Sequence, residues 1–487
     1  MKNSLLLCLL TCLSISVADA SEQANEQEGT VLYHNATLIN PATEQQLNDG
    51  WLLVKGDRII NMGQQQNGQV NLPAAEQQID LQDQYVLPGL IDVHLHLTAG
   101  PPRAEMQDDQ PVLTMKGHNE ITRYHALSTL ATGVTTAFSP AGEPEANAQY
   151  ARHQQAGDWL GPELTYAGYI FEPTPIVAGS VYPQNETAWQ EEILRQKSLG
   201  VDYIKLYTGL NKDEVALGNR LAKAAGLKTV AHLDKVSWQY AADLGIDALT
   251  HALPTSPELL TGSAKATYEA ERENPLNQRF IYSWFQHADY DSEPMQKLFS
   301  TLSEQQTHVD FTMVVNELFY YAHELDALYS EQDMWIFHPT FRSRWRATMA
   351  APSYDWTAED FAAAKQQLPK VQQLFKRLYD AGVPLAIGTD SVASGPFYLR
   401  ELQLSKAAGL NNWQVLQLAT VNGAQHLGLS DTGQLAPGFA ADFIVLTANP
   451  VADLSALNTV ETVVQKGKAA QVADLKSKLS TLTNVQL

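Results

Sequence analysis

The run Val86-Leu87-Pro88-Gly89-Leu90-Ile91-Asp92-Val93-His94-Leu95-His96-Leu97 decides how the rest of the chain is read. It is apolar, too short for an ordinary helix, and carries Pro-Gly turn chemistry, so Val86 to Leu97 reads as a buried strand. Residues two apart on a strand point to the same side, so His94 and His96 aim together at the strand's end. Imidazole is the commonest metal-binding side chain, and two on one rigid strand make half a zinc site. Two histidines also fall near a strand end by chance. Only the rest of the chain separates these readings.

Downstream of this run, strand-like and helix-like segments alternate. Strand-like runs occupy Gly133 to Ala137, Leu164 to Ile170, Val201 to Tyr207, Leu227 to His232, Ile246 to His251, Val309 to Val315 and Pro384 to Asp390. The helix-like segments between them stop at Gly200, Gly226 and Gly245, and apolar runs follow at once, the signature of repeated βα units. Counted from Leu87 there are eight strands, the number that closes a (β/α)8 TIM barrel, here spanning 87–429. Outside it, short β-like runs at 30–60 are matched by others at 442–464. The two ends, 21–86 and 430–487, therefore read as one small β-sandwich built from both termini.

Polar residues recur at the C-terminal ends of these strands. They are His94 and His96 on the first, Lys205 on the fourth, His232 on the fifth, His251 on the sixth and Asp390 on the eighth. In such a barrel those ends share the functional face, so residues far apart in sequence converge. His118, His125 and His153 fall on helix-like segments and receive no role. Residues 254–305 and 317–380 exceed what a crossover needs and are dense in aromatic side chains, with Arg342, Arg344 and Arg346 nearby. Such insertions form lids over the active face or contacts between copies in a homo-oligomer. On the lid reading, Tyr320 and Trp335 are candidate substrate-binding residues.

Bulk composition narrows the partners. A net charge of −22 over 487 residues argues against nucleic acid or an anionic membrane and leaves a small molecule as the expected partner. Residues 1–20 have the form of a signal peptide: Lys2, an apolar stretch from Leu5 to Val17, then Ala18-Asp19-Ala20. Export, to a periplasm, is the expectation. Both cysteines, Cys8 and Cys12, lie in this segment, so the mature chain would fold without disulfides. No later run is long enough to cross a membrane as a helix.

The chain resembles the metal-dependent amidohydrolase superfamily, in the branch of imidazolonepropionase-related enzymes and Xaa-Pro dipeptidases (prolidases). The resemblance is carried by the opening run, by Ala386-Ile387-Gly388-Thr389-Asp390, by Thr420 to Gly428 and by Gly433 to Phe443. It implies that His94 and His96 bind metal, that Lys205 is carboxylated and bridges two metals, that His232 and His251 hold the second ion, and that Asp390 both binds metal and moves protons. Two divalent ions, expected to be zinc, would activate a bridging hydroxide toward an amide carbonyl, with Asp390 as general base and then acid. Tyr207, two residues after Lys205, either supports the carbonyl oxygen or simply packs. Dipeptides or N-acyl amino acids are the implied substrates. The chain departs from the prolidase pattern at Tyr207-Thr208-Gly209-Leu210, where those enzymes tend to have a glycine-rich turn. It departs again at Asp234, where they often have a histidine. A deaminase or cyclic-amidine hydrolase with one metal is the alternative, and a bridging lysine argues against it. A non-catalytic binding protein is a third, against which the complete ligand set argues.

Overall fold

The computed structural model describes residues 29–65, 72–107, 110–174, 179–272, 279–350 and 356–483. The expected leader, with Cys8 and Cys12, lies outside the described residues, as does the side chain of Arg346.

Eight short strands form one parallel set in sequence order: Leu90–Asp92, Val134–Ser139, Glu163–Phe171, Tyr203–Leu206, Lys228–Ala231, Ala248–Thr250, His308–Asp310 and Leu385–Ala386. The sheet curls until its edges meet. Val93 N–H donates to Ile387 O at 2.9 Å, and His96 N–H to Ser391 O at 2.7 Å. This is an α/β fold with a curled parallel sheet, consistent with a TIM barrel. Its strands are buried on both faces, which is why they read as continuous apolar runs. Ile91, Val93, Phe138, Tyr203 and Val230 pack in one buried cluster. A larger cluster fills the space around the surrounding helices. Helices Glu186–Ser198, Lys212–Ala224 and Trp238–Asp243 are followed by Gly200, Gly226 and Gly245 in left-handed conformation, as the sequence predicts.

Two of the expected strands are divided. The opening run breaks at Gly89: Gln77–Pro88 belongs to a second sheet, and the curled sheet begins at Leu90. Gly89 sits against the second barrel strand, where an added Cβ would lie 2.1 Å from Thr135 Oγ1. Likewise the run from Val309 to Val315 is strand only to Asp310, and helix Met313–Tyr320 follows.

The second sheet has seven strands and joins both chain ends. Its order is Lys468–Gln471, Val460–Gln465, Phe443–Leu446, Gln77–Pro88, Thr30–Asn40, Gln45–Lys55 and Arg58–Gln64. Gln77–Pro88 is the seam, antiparallel to Phe443–Leu446 and parallel to Thr30–Asn40. Tyr33, Leu52, Val86, Phe443 and Val464 form its own core. The two ends thus meet in a single sheet, where the sequence reading anticipated a two-sheet sandwich.

The long insertions are helical: Gly262–Glu271, Phe280–His287 and Glu293–Glu304 in the first, then Leu325–Leu328, Pro339–Ala350, Ala358–Lys365 and Leu368–Asp380.

Candidate metal centre

The first strand delivers two imidazoles. His94 and His96 lie just beyond Asp92, and their Nε2 atoms both meet Asp390 Oδ1, at 3.1 and 2.9 Å. The two-residue spacing therefore does aim them at one place. His94 is packed tightly from behind: an added Cβ on Gly388 would stand 2.5 Å from His94 Cβ. The other nitrogen of each ring is held. His94 Nδ1 meets Asp310 Oδ1 at 3.0 Å, and His96 Nδ1 meets Ala141 O at 3.1 Å. Such partners fix ring orientation and tautomer in metal sites.

The remaining candidates arrive from the other strand ends. Lys205, in the fourth strand, is 2% exposed and its ammonium donates to Thr250 Oγ1 at 3.2 Å. His251, directly after the sixth strand, places Nδ1 2.9 Å from Thr312 Oγ1 and 3.9 Å from Asp390 Oδ2. The His232 ring lies 4.5 Å from that of His251 and 5.0 Å from that of Tyr207, centroid to centroid. His251 and Asp390 both adopt positive φ, +68° and +53°. For non-glycine residues that backbone is costly, and it concentrates where surrounding structure holds a functional geometry.

Electrostatics follow from burial and two carboxylates. Burial opposes protonation of His94, but Asp310 and Asp390 outweigh it and raise its pKa to about 9. Burial pulls Lys205 down to about 8 against the upward pull of the same two carboxylates. Burial, with the charge of Lys205, takes His232 down to about 3, and burial holds His251 well below the ordinary imidazole range. Burial pushes Asp390 up, yet the charges of His94 and His251 leave it well below the usual carboxylate range. Burial raises Asp310.

The residues fit a divalent cation. Donor atoms of His94, His96 and Asp390 lie within 4.8 Å of one another, as do those of His94, His251 and Asp310. His232 Nδ1 and Asp310 Oδ2 are buried with no hydrogen-bond partner among the described residues. Nitrogen and carboxylate donors left in this state are the donor set of zinc and similar ions.

His94, His96, Lys205, Tyr207, His251 and Asp390 stand on the wall of one cavity of about 430 Å³. His232 lies behind it, against His251. Tyr320 and Trp335 do not line it. The Tyr320 hydroxyl is buried and donates to Ile281 O, and the Trp335 ring lies under the Lys476 ammonium. The aromatic segment reaches the cavity through Phe337, Phe341 and Trp345 instead.

Two carboxylates were missed in the sequence. Asp310 ends the seventh strand and orients both His94 and the His251 backbone. Asp92 accepts from His94 N, Thr389 N, Thr389 Oγ1 and Ser394 Oγ, binding the first strand to the loop that carries Asp390. Burial pushes Asp92 up to about 6. The signal available was a carboxylate inside an otherwise apolar strand, which is costly unless it is fully hydrogen-bonded.

An imidazolonepropionase of Deinococcus deserti is 43% identical over 84 residues, 16% of this chain and 21% of that protein. An ochratoxinase of Aspergillus niger is 26% identical over 154 residues, 30% of this chain and 32% of that protein. The chain thus matches less than two thirds of the length of each. A crystal structure of a Xaa-Pro dipeptidase with bound methionine in the active site shares the fold, with a TM-score of 0.65 at 19% identity over 91% of this chain and 100% of that one. The model of the amidohydrolase family matches residues 85–470, most of the sequence and every residue of the centre described above, and the chain belongs to that family.

Proposed function

We propose that the chain is a metal-dependent hydrolase that cleaves an amide C–N bond in dipeptides or N-acyl amino acids. The observation that carries this is the convergence of His94, His96, Lys205, His251 and Asp390 on one cavity wall. His94, His96 and Asp390 would hold one ion, and Lys205, His232 and His251 would contribute to holding a second. Bound there, divalent ions supply Lewis acidity and lower the pKa of water.

The chain's own residues do the rest. Asp390 takes a proton from the attacking water and returns it to the leaving nitrogen, a role suited to a carboxylate that is 25% exposed at the cavity wall. Asp310 and Ala141 hold the imidazoles in register. Tyr207, on the same wall, supports the carbonyl oxygen. Burial favours the neutral amine of Lys205, the form that adds to carbon dioxide. The new N–C bond forms as one C–O π pair moves to oxygen, and the proton lost by the amine passes to water. The resulting carbamate is an anion, which bound divalent ions would stabilise. In this proposal residues 1–20 direct export.

The test is a screen of dipeptides and N-acyl amino acids with chelator-treated protein before and after zinc is restored. Hydrolysis that follows the metal supports the proposal. Metal-replete protein that cleaves none of them, or stripped protein that cleaves as well, contradicts it. The likeness to imidazolonepropionase supports a second reading, a one-metal hydrolase of a cyclic amidine, and the same screen with such a substrate separates the two.

A further inference from the structure

The cavity wall carries two lysines of opposite character. Lys205 is buried among the metal-ligating candidates, whereas Lys116 is exposed. Among the described residues no carboxylate pairs with Lys116. Its neighbour on the wall, Glu143, spends one oxygen on Gly117 N–H at 3.1 Å. The backbone at Lys116 is fixed, because Gly100 N–H donates to Met115 O at 3.0 Å and an added Cβ at Gly100 would meet Lys116 O at 1.8 Å. Lys116 lines the cavity from a held main chain, and among the described residues no carboxylate takes its ammonium, which leaves it to a ligand. The apolar part of the wall is formed by Leu113, Met115, Phe337, Phe341 and Trp345. Its aromatic rings are contiguous, with Phe337 5.3 Å from Phe341 and 5.5 Å from Trp345, centroid to centroid. This surface suits a bulky apolar group.

We infer that Lys116 reads the free carboxylate of an N-acylated amino acid whose bulky apolar part lies on the aromatic wall. The inference deepens the hydrolase reading and rests on it for the bond that is cut. Physical chemistry gives the lysine a specific task. The chain's net charge of −22 disfavours an anionic ligand, and a cation on the outer cavity wall offsets that where the carboxylate would sit. A charge-assisted pair on the cavity wall discriminates an acid from its neutral amide.

The experiment compares N-benzoyl-leucine with N-benzoyl-leucinamide on zinc-loaded wild type, Lys116→Gln and Lys116→Arg. Benzoate release reports the hydrolase reading. The acid-to-amide preference reports Lys116, taken from kcat/KM where benzoate appears and from Kd where it does not. Wild type and Lys116→Arg should prefer the acid by roughly tenfold, the scale of one charge-assisted hydrogen bond. Lys116→Gln should lose that preference through KM and leave the amide unchanged. An unaltered acid preference in Lys116→Gln overturns the inference, whether or not benzoate is released. Phe341→Ala should narrow the preference for N-benzoyl-leucine over N-acetylglycine, and an unchanged preference removes the aromatic half.

Discussion

At the scale of single residues, the centre depends on side chains with little freedom. Asp390 sits in a left-handed backbone conformation with its Oδ1 between two imidazoles. Asp390→Asn keeps the shape but cannot accept a proton. It should retain the fold and most of the metal, with turnover down by at least about a hundredfold, the scale of a lost general base. A variant with full metal and more than a few per cent of wild-type rate refutes the role given to Asp390. Asp92 acts one step back. Asp92→Ala leaves the donors of His94 N, Thr389 and Ser394 without their acceptor, at a cost of about 2–4 kcal/mol. Thermal melts should show that loss, and metal affinity should fall with it. An unchanged melt would mean the four hydrogen bonds are replaced by water. His94, His96 and the other strand-end residues were legible in sequence because period-two geometry and βα spacing are local. Asp92 and Asp310 were not, because the partners that reveal their roles, Thr389 and Ser394 for Asp92 and His94 for Asp310, lie some 300 and 200 positions away and only the closed sheet brings them together.

At the scale of elements, the aromatic segment separates what density reveals from what it conceals. Aromatic content in 317–380 marks burial but not the direction of each ring. Tyr320 is fully buried, and Tyr320→Ala should cost about 3 kcal/mol or more of stability. Trp335 lies under Lys476, and Trp335→Ala should leave the ranking of substrates as in wild type. A changed ranking in stable Trp335→Ala protein would return this residue to the pocket. The two insertions are clamped together by Arg279, whose guanidinium makes a two-pronged contact with Asp360 at 2.8 Å on each arm. Arg279 is the largest cause holding the Asp360 carboxyl below its usual range. A depressed carboxylate contributes stability above its unfolded pKa, near 4, and loses it as pH falls further. Arg279→Ala should therefore lower stability by about 1 kcal/mol at neutral pH, after solvent screening of a partly exposed pair. The gap between the two melting curves should close well below pH 4, and a gap that persists there would assign the effect to packing.

At the scale of the whole molecule, one stretch of chain serves two bodies. Residues up to Pro88 run through the centre of the seven-stranded sheet, and from Leu90 the same chain opens the curled sheet. The sequence shows the apolar run without its division, because both halves are buried and only Gly89 marks the change. The pairing of chain ends was legible from matching β-like runs. The number of sheets was not, since strand periodicity reports which face is buried and not what covers it. The central claim is that the six strand-end residues form a metal centre that drives amide hydrolysis. The direct measurement is a zinc titration of chelator-stripped protein that follows bound metal and hydrolysis of N-acyl amino acids together. The account predicts that turnover rises with occupancy and is complete at about two ions per chain, as a two-metal site requires. Full turnover without bound metal, or complete turnover at one ion per chain, would contradict it.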